Sequence, residues 1–180
     1  MVPDRAEKTA ECMENWEKKM EEEWGRPFVH ESGHALIAVL EGIPCHGICF
    51  EKGEGAGRFC ALIAPTPPGE RSKSNYMVSS AGSAAEHLIY GSYDQGAAAT
   101  DRKDFDGTDA PSPDTAAAEA SAILASKRRQ LKRLVSLLKS KARAVDFDLT
   151  RLPNRTMDGS NKRYSMLLSK EEIESAVHRS

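Results

Sequence analysis

Apolar residues recur at helical spacing in the stretch 27–42, PFVHESGHALIAVLEG, where Phe28, Leu36, Ile37, Val39 and Leu40 line up. Pro27 suits the first helical position, Gly42 suits the position past the end, and Pro44 forbids continuation. The pattern predicts a helix over 27–42. Upstream, residues 5–24 read as a charged helix with an apolar stripe of Met13, Trp16, Met20 and Trp24, suited to packing on the domain or on a second copy. Downstream, residues 43–50 and 59–64 read as two short strands, with the glycine-rich EKGEGAG turn between them. PTPPGE marks a loop. Residues 74–91 predict a helix of small residues, in which Ala81, Gly82, Ala84 and Ala85 let a neighbour approach closely and Gly91 ends the run.

Residues 92–114 read as loop, with Gly96, Gly107, Pro111, Pro113 and aspartates at 94, 101, 104, 106, 109 and 114. Asp114 is the expected cap of one long helix, roughly 115–144, with Ile123, Leu124, Leu131, Leu134, Val135 and Leu138 on its apolar face. Residues 146–165 read as a polar loop. Ser169 with Glu172 makes a capping box for a last helix, 170–178. The expected fold class is mainly α (α+β), with one small β-hairpin. Residues 1–25 are expected as an amphipathic helical appendage and 26–180 as the domain.

Composition changes this picture little. The 180 residues are 39% hydrophobic and 29% charged, with a formal net charge of −2 and a pI of 6.2. That suits one soluble globular domain and gives no global sign of nucleic-acid binding. The long helix has a basic face of Lys127, Arg128, Arg129, Lys132, Arg133, Lys139, Lys141 and Arg143. It reads as a solvated face, with an anionic partner as the alternative. No apolar run approaches the roughly 20 residues that span a bilayer, and MVPDRAEKTAEC lacks a signal-peptide core. The expected location is cytoplasmic. There Cys12, Cys45, Cys49 and Cys60 are expected as free thiols. On one strand Cys45 and Cys49 would share a face, about 13 Å apart.

The predicted first helix carries the chemistry. His30 and His34 are four apart, so their imidazoles stand on one face at the spacing of one edge of a tetrahedral zinc site. Glu31 lies about 100° round from His30. It is badly placed to bind the same metal but well placed to hold a water on it. Gly33 costs up to roughly 1 kcal/mol inside a helix, which points to close packing there. A catalytic zinc needs a third protein ligand. The remaining histidines are His46, His87 and His178, and position 40 is Leu, so no H-E-x-x-H-x-x-G-x-x-H extension exists. The aspartate-rich loop near 101 is the natural source.

The order of segments resembles the peptidase domain of the FtsH proteases, the M41 family. FVHESGHALIA resembles that family's H-E-A-G-H-A helix, IPCHGICFEKGEGAGRFCALIAP the hairpin after it, and AGSAAEHLIYG its A-G-R-A-A-E-E-x-x-x-G helix. QGAAATD resembles its T-G-A-S-N-D, and AILASKRRQLKRLVSLL with LSKEEI its C-terminal helices. The resemblance covers roughly 26–175, with no counterpart for 145–168. It implies a zincin-like helical peptidase domain with one Zn2+ per chain, held by His30, His34 and Asp101, and Glu31 as general base. Asp104 is the rival third ligand, since the loop needs a one-residue shift to place Asp101. Glu86 matches the family's glutamate and reads either as a group that orients a ligand or as a plain helix-surface carboxylate. Ser83 stands where the family has arginine.

The expected activity is a zinc metalloendopeptidase cutting flexible or unfolded polypeptides. The family's membrane anchor and ATPase have no counterpart in these residues, and no G-x-x-x-x-G-K-[ST] occurs. A polypeptide substrate, a separate unfoldase or regulatory partner and a homo-oligomer are the partners in view; nucleic acid and a membrane span are not. The alternative is a catalytically inactive, zinc-stabilised protein-binding module.

Overall fold

The structure, a computed structural model, describes residues 24–51, 58–67, 69–105, 111–145, 148–152, 154–156 and 163–179. The expected helix over 5–24 and its stripe of Met13, Trp16 and Met20 lie outside them, as does most of the EKGEGAG turn. The described residues form a mainly helical α+β fold of six helices with one small antiparallel sheet.

The central element is α1 (Gly25–Leu40). It starts two residues before Pro27, which tolerates any position of the first turn because those N–H groups have no partner within the helix. Phe28, Leu36 and Ile37 are fully buried. Trp24 packs edge-on against Phe28 at 6.0 Å and Phe59 at 5.6 Å between ring centroids. Against α1 lies α2 (Lys73–Tyr90), ended by Gly91. The contact is as close as the small residues imply. A Cβ on Gly33 would stand 2.5 Å from the Ala81 carbonyl oxygen and 2.7 Å from Ala85 Cβ.

The expected hairpin is β1 (Cys45–Glu51) and β2 (Arg58–Ile63), but it is half of a larger sheet. β3 (Asn154–Thr156) and β4 (Arg163–Ser169) complete the order β2-β1-β4-β3. Both added strands reach into the stretch expected as a polar loop. β1 carries a bulge between Cys45 and Ile48. Gly47 takes φ +151° there, and a Cβ on it would meet the Leu168 carbonyl oxygen at 2.6 Å. The extra residue breaks the alternation of faces. Cys45 therefore enters the main core, whereas Cys49 joins Leu62 and Tyr164 on the other side of the sheet. The expectation that the two cysteines share a face fails for that reason. Cys45, Cys49 and Cys60 are all free thiols.

The expected aspartate-rich loop contains a seven-residue helix, α3 (Gln95–Asp101), and a 3-10 turn over Arg102–Asp104. The expected long helix is two, α4 (Pro113–Ser126) and α5 (Arg128–Ala144), broken at Lys127. Its cap is Ser112, whose Oγ accepts the Thr115 N–H at 3.1 Å, and Asp114 sits inside the first turn. α4 packs on α2, whereas α5 packs on α1, so the break redirects the chain between two supports. Leu124, Leu131, Leu134 and Leu138 are fully buried along this path. On the basic face Arg133 donates to the carbonyls of Ala176 and Arg179, both at 2.8 Å, closing the end of α6 (Lys170–His178). The Ser169–Glu172 capping box that starts α6 is formed as expected. Among the described residues no helix is long and apolar enough to cross a membrane.

Candidate metal centre

His30 and His34 project from α1 toward α3, and Asp101 closes the cluster from the end of α3. One ligand atom from each of the three lies within 4.8 Å of the others. His30 Nε2 is 3.0 Å from His34 Nε2 and 3.1 Å from Asp101 Oδ2, and His34 Nε2 is 3.4 Å from the same oxygen. A tetrahedral zinc with bonds of 2.0–2.1 Å has ligand–ligand edges of about 3.3–3.4 Å.

The surrounding hydrogen bonds assign the tautomers. His34 Nδ1 lies 2.6 Å from the Val78 carbonyl oxygen, which only accepts, so Nδ1 carries the proton. His30 Nδ1 lies 2.7 Å from Glu86 Oε1 and donates likewise. Both Nε2 atoms of neutral rings then present bare lone pairs, and so does Asp101 Oδ2. That oxygen is buried and has no hydrogen-bond partner. Its short approaches to the imidazoles are thus acceptor against acceptor. Three lone pairs converging on one point in a buried site call for a positive charge. A proton on His30 is the other way to supply that charge. Burial lowers the His30 pKa, but Asp101, Glu86 and the charge of Glu31 lift it to about 10, so that in the metal-free cluster a protonated His30 faces Asp101. Burial raises the Asp101 carboxyl, yet the facing His30 and His34 rings outweigh it and hold it at about 2.

Behind the ligands sits Glu86, only 1% exposed on a helix otherwise rich in small residues. It bonds His30 through Oε1, and its Oε2 accepts from Arg26 Nη1 at 3.0 Å and the Asp94 N–H at 2.9 Å. Burial pushes its carboxyl up, but these three donors hold it below the ordinary range. Arg26 also donates to the Ser92 carbonyl oxygen at 3.0 Å and lies over the Tyr90 ring. Asp94 in turn caps α3, accepting the N–H groups of Gly96 at 2.7 Å and Ala97 at 3.0 Å.

Glu31 stands beside the cluster. Its Oε2 accepts the Ala61 N–H of β2 at 2.6 Å. Burial raises its carboxyl, against the opposing charges of His34 and His30 and the bond from Ala61. A cleft of about 900 Å³ opens above these groups, with Phe59, Ala61 and Ile63 of β2 on one wall and Ala97 and Thr100 on the other. β2 is an edge strand, and the orientation of the Ala61 N–H turns its outer edge to this cleft.

The structure brings His30, His34, Glu31 and Asp101 together and sets Glu86 behind His30. Asp104 ends the 3-10 turn three residues on, and its side chain lies outside the described residues. Gly82 escaped the sequence reading as a site residue. A Cβ there would stand 2.5 Å from both Nε2 atoms, so the glycine keeps the floor of the site open. Its one signal was a glycine where neighbouring positions use alanine. Arg26, Asp94 and Ala61 carry no motif and are recruited by the fold alone. A comparison with protein-family models finds no match, and none of the curated proteins is detectably similar in sequence.

Proposed function

We propose that this chain is a zinc-dependent endopeptidase acting on flexible or unfolded polypeptides. The observation that carries it is the convergence of three lone pairs on one buried point, with Glu31 beside them on the wall of an open cleft. The resemblance of the segment order to M41 peptidases supports the same reading. His30, His34 and Asp101 would hold the metal. When bound, zinc supplies Lewis-acid polarisation of a carbonyl and lowers the pKa of a nearby water toward 7.

The remaining work falls to the chain itself. Glu31, oriented through Oε2 by the Ala61 N–H, takes a proton from a water in the cleft and passes it to the departing amine. Its burial raises its proton affinity toward that of a useful base. The outer edge of β2 offers backbone groups to an extended peptide, which favours unfolded over compact substrates. A separate unfoldase would widen the range of substrates, and a cytoplasmic location fits free thiols.

Glu31→Gln tests the proposal. It should retain about one zinc per chain by elemental analysis and lose at least 100-fold in peptide cleavage. Wild-type cleavage by that variant would sink the mechanism. Asp101→Ala should lose the metal and Asp104→Ala should keep it; the reverse would reassign the third ligand. Zinc binding with no cleavage of any peptide by the wild type would favour the zinc-stabilised binding module.

A further inference from the structure

On the sheet face turned away from α1, Cys49 of β1 and Cys60 of β2 stand directly opposite in register, with their sulfurs 3.2 Å apart. Opposed residues of an antiparallel pair have Cα atoms about 4.5–5.5 Å apart, within the roughly 4.4–6.8 Å that a disulfide spans. Closing the sulfurs to about 2.05 Å needs a movement of about 1.2 Å. Small rotations of two side chains supply that. The two thiols are unequal in access. Cys49 is fully buried, whereas Cys60 is half-buried and borders the cleft.

We propose that Cys49 and Cys60 are a reversible dithiol–disulfide pair, oxidised by exchange with a small disulfide such as oxidised glutathione, with Cys60 attacking and Cys49 resolving. The Cys60 thiolate attacks one sulfur of the small disulfide, whose S–S bond breaks and releases one reduced thiol. Cys49 gives up its proton to solvent and attacks Cys60 Sγ, breaking the mixed disulfide and releasing the second thiol. The protein loses two electrons and two protons, and the small disulfide gains them. The division of roles agrees with the proton affinities. The hydrogen bond from Cys49 holds the Cys60 thiol below its usual value, whereas that bond and burial push Cys49 up. The thiolate is the attacking form.

The link would reach Glu31. Cys60 precedes Ala61, whose N–H holds the Glu31 carboxylate. Linking Cys60 restrains β2 next to that N–H, so peptide cleavage should differ between the reduced and the linked forms. This consequence rests on the endopeptidase reading; the disulfide itself does not.

The test is peptide mapping by mass spectrometry of the full chain, before and after oxidised glutathione and again after dithiothreitol. The wild type should lose about 2 Da through a Cys49–Cys60 link and regain it on reduction. Cys49→Ser should accumulate one glutathione adduct on Cys60, and Cys60→Ser should leave Cys49 unmodified. Retention of both thiols by the wild type, or a link from Cys60 to Cys12 or Cys45 instead, overturns the proposal. Mapping needs no activity, so a chain that forms the link yet never cleaves peptide supports the pair and counts only against the endopeptidase.

Discussion

Gly82 shows how one residue can keep a candidate metal site open. It belongs to neither the ligands nor the groups that orient them, yet its missing side chain leaves the space where both imidazoles point. Gly82→Ala should raise the intrinsic helix propensity of α2 by about 1 kcal/mol. It should also drive His30 and His34 out of register and lower zinc affinity more than tenfold, the lower end of what outer groups of metal sites cost. Far-UV circular dichroism should stay unchanged while a competition titration with a zinc-binding dye reads the loss. Unaltered affinity would mean that the imidazoles approach the metal from another side. The same residue marks a limit of sequence reading. Histidines at i and i+4 announce their shared face, because helical spacing alone brings them together. Gly82 lies 48 or more residues away, and only the packing of α2 on α1 turns an ordinary small residue into the floor of a site.

At the scale of elements, the weak member is α3. Seven residues are too few for a helix to persist alone in water. α3 is held by the Asp94 cap and by the Asp94 N–H bond to Glu86, and its last residue is Asp101, the proposed third ligand. Asp94→Ala should remove about 1 kcal/mol of cap and weaken zinc binding several-fold, although Asp94 never meets the metal. A competition titration reads that loss, and unaltered zinc affinity in Asp94→Ala would show that the cap does not position Asp101. Legibility also divides by element. Helix ends marked by Gly42, Gly91 and the Ser169–Glu172 box could be read from the chain, since the signals are local. β4 could not. Its pairing joins residues 164–169 to 47–51, more than a hundred positions away, and no local pattern records it. The break at Lys127 was hidden for a related reason. Leu124 and Leu131 continue one apolar period, with no glycine or proline between them, and only the change of support from α2 to α1 bends the path.

Across the whole molecule, the candidate site ties the parts together. α1 and α3 bring the three candidate ligands, α2 supplies Glu86 and the Val78 carbonyl, and the edge of the sheet holds Glu31. An ion bound at that junction has no equivalent site in the unfolded chain, so binding must appear as stability. At a free zinc concentration of about 1,000 times Kd the gain is about 4 kcal/mol. For a domain of this size each kcal/mol moves Tm by roughly 2–4 °C, so zinc should raise Tm by about 8–16 °C and a chelator should reverse it. Glu31→Gln should show the same rise, since Glu31 faces the cleft and is not among the three converging groups. His30→Ala should lose the rise and begin from a lower Tm, because Glu86 keeps its buried charge but loses one of its three donors. These variants separate holding the metal from using it. A zinc-dependent rise that survives Glu31→Gln while cleavage vanishes assigns Glu31 to proton transfer. A rise lost in Glu31→Gln makes Glu31 a ligand and removes the base from the mechanism. A rise under about 2 °C in the wild type would mean that zinc does not bridge α1 and α3.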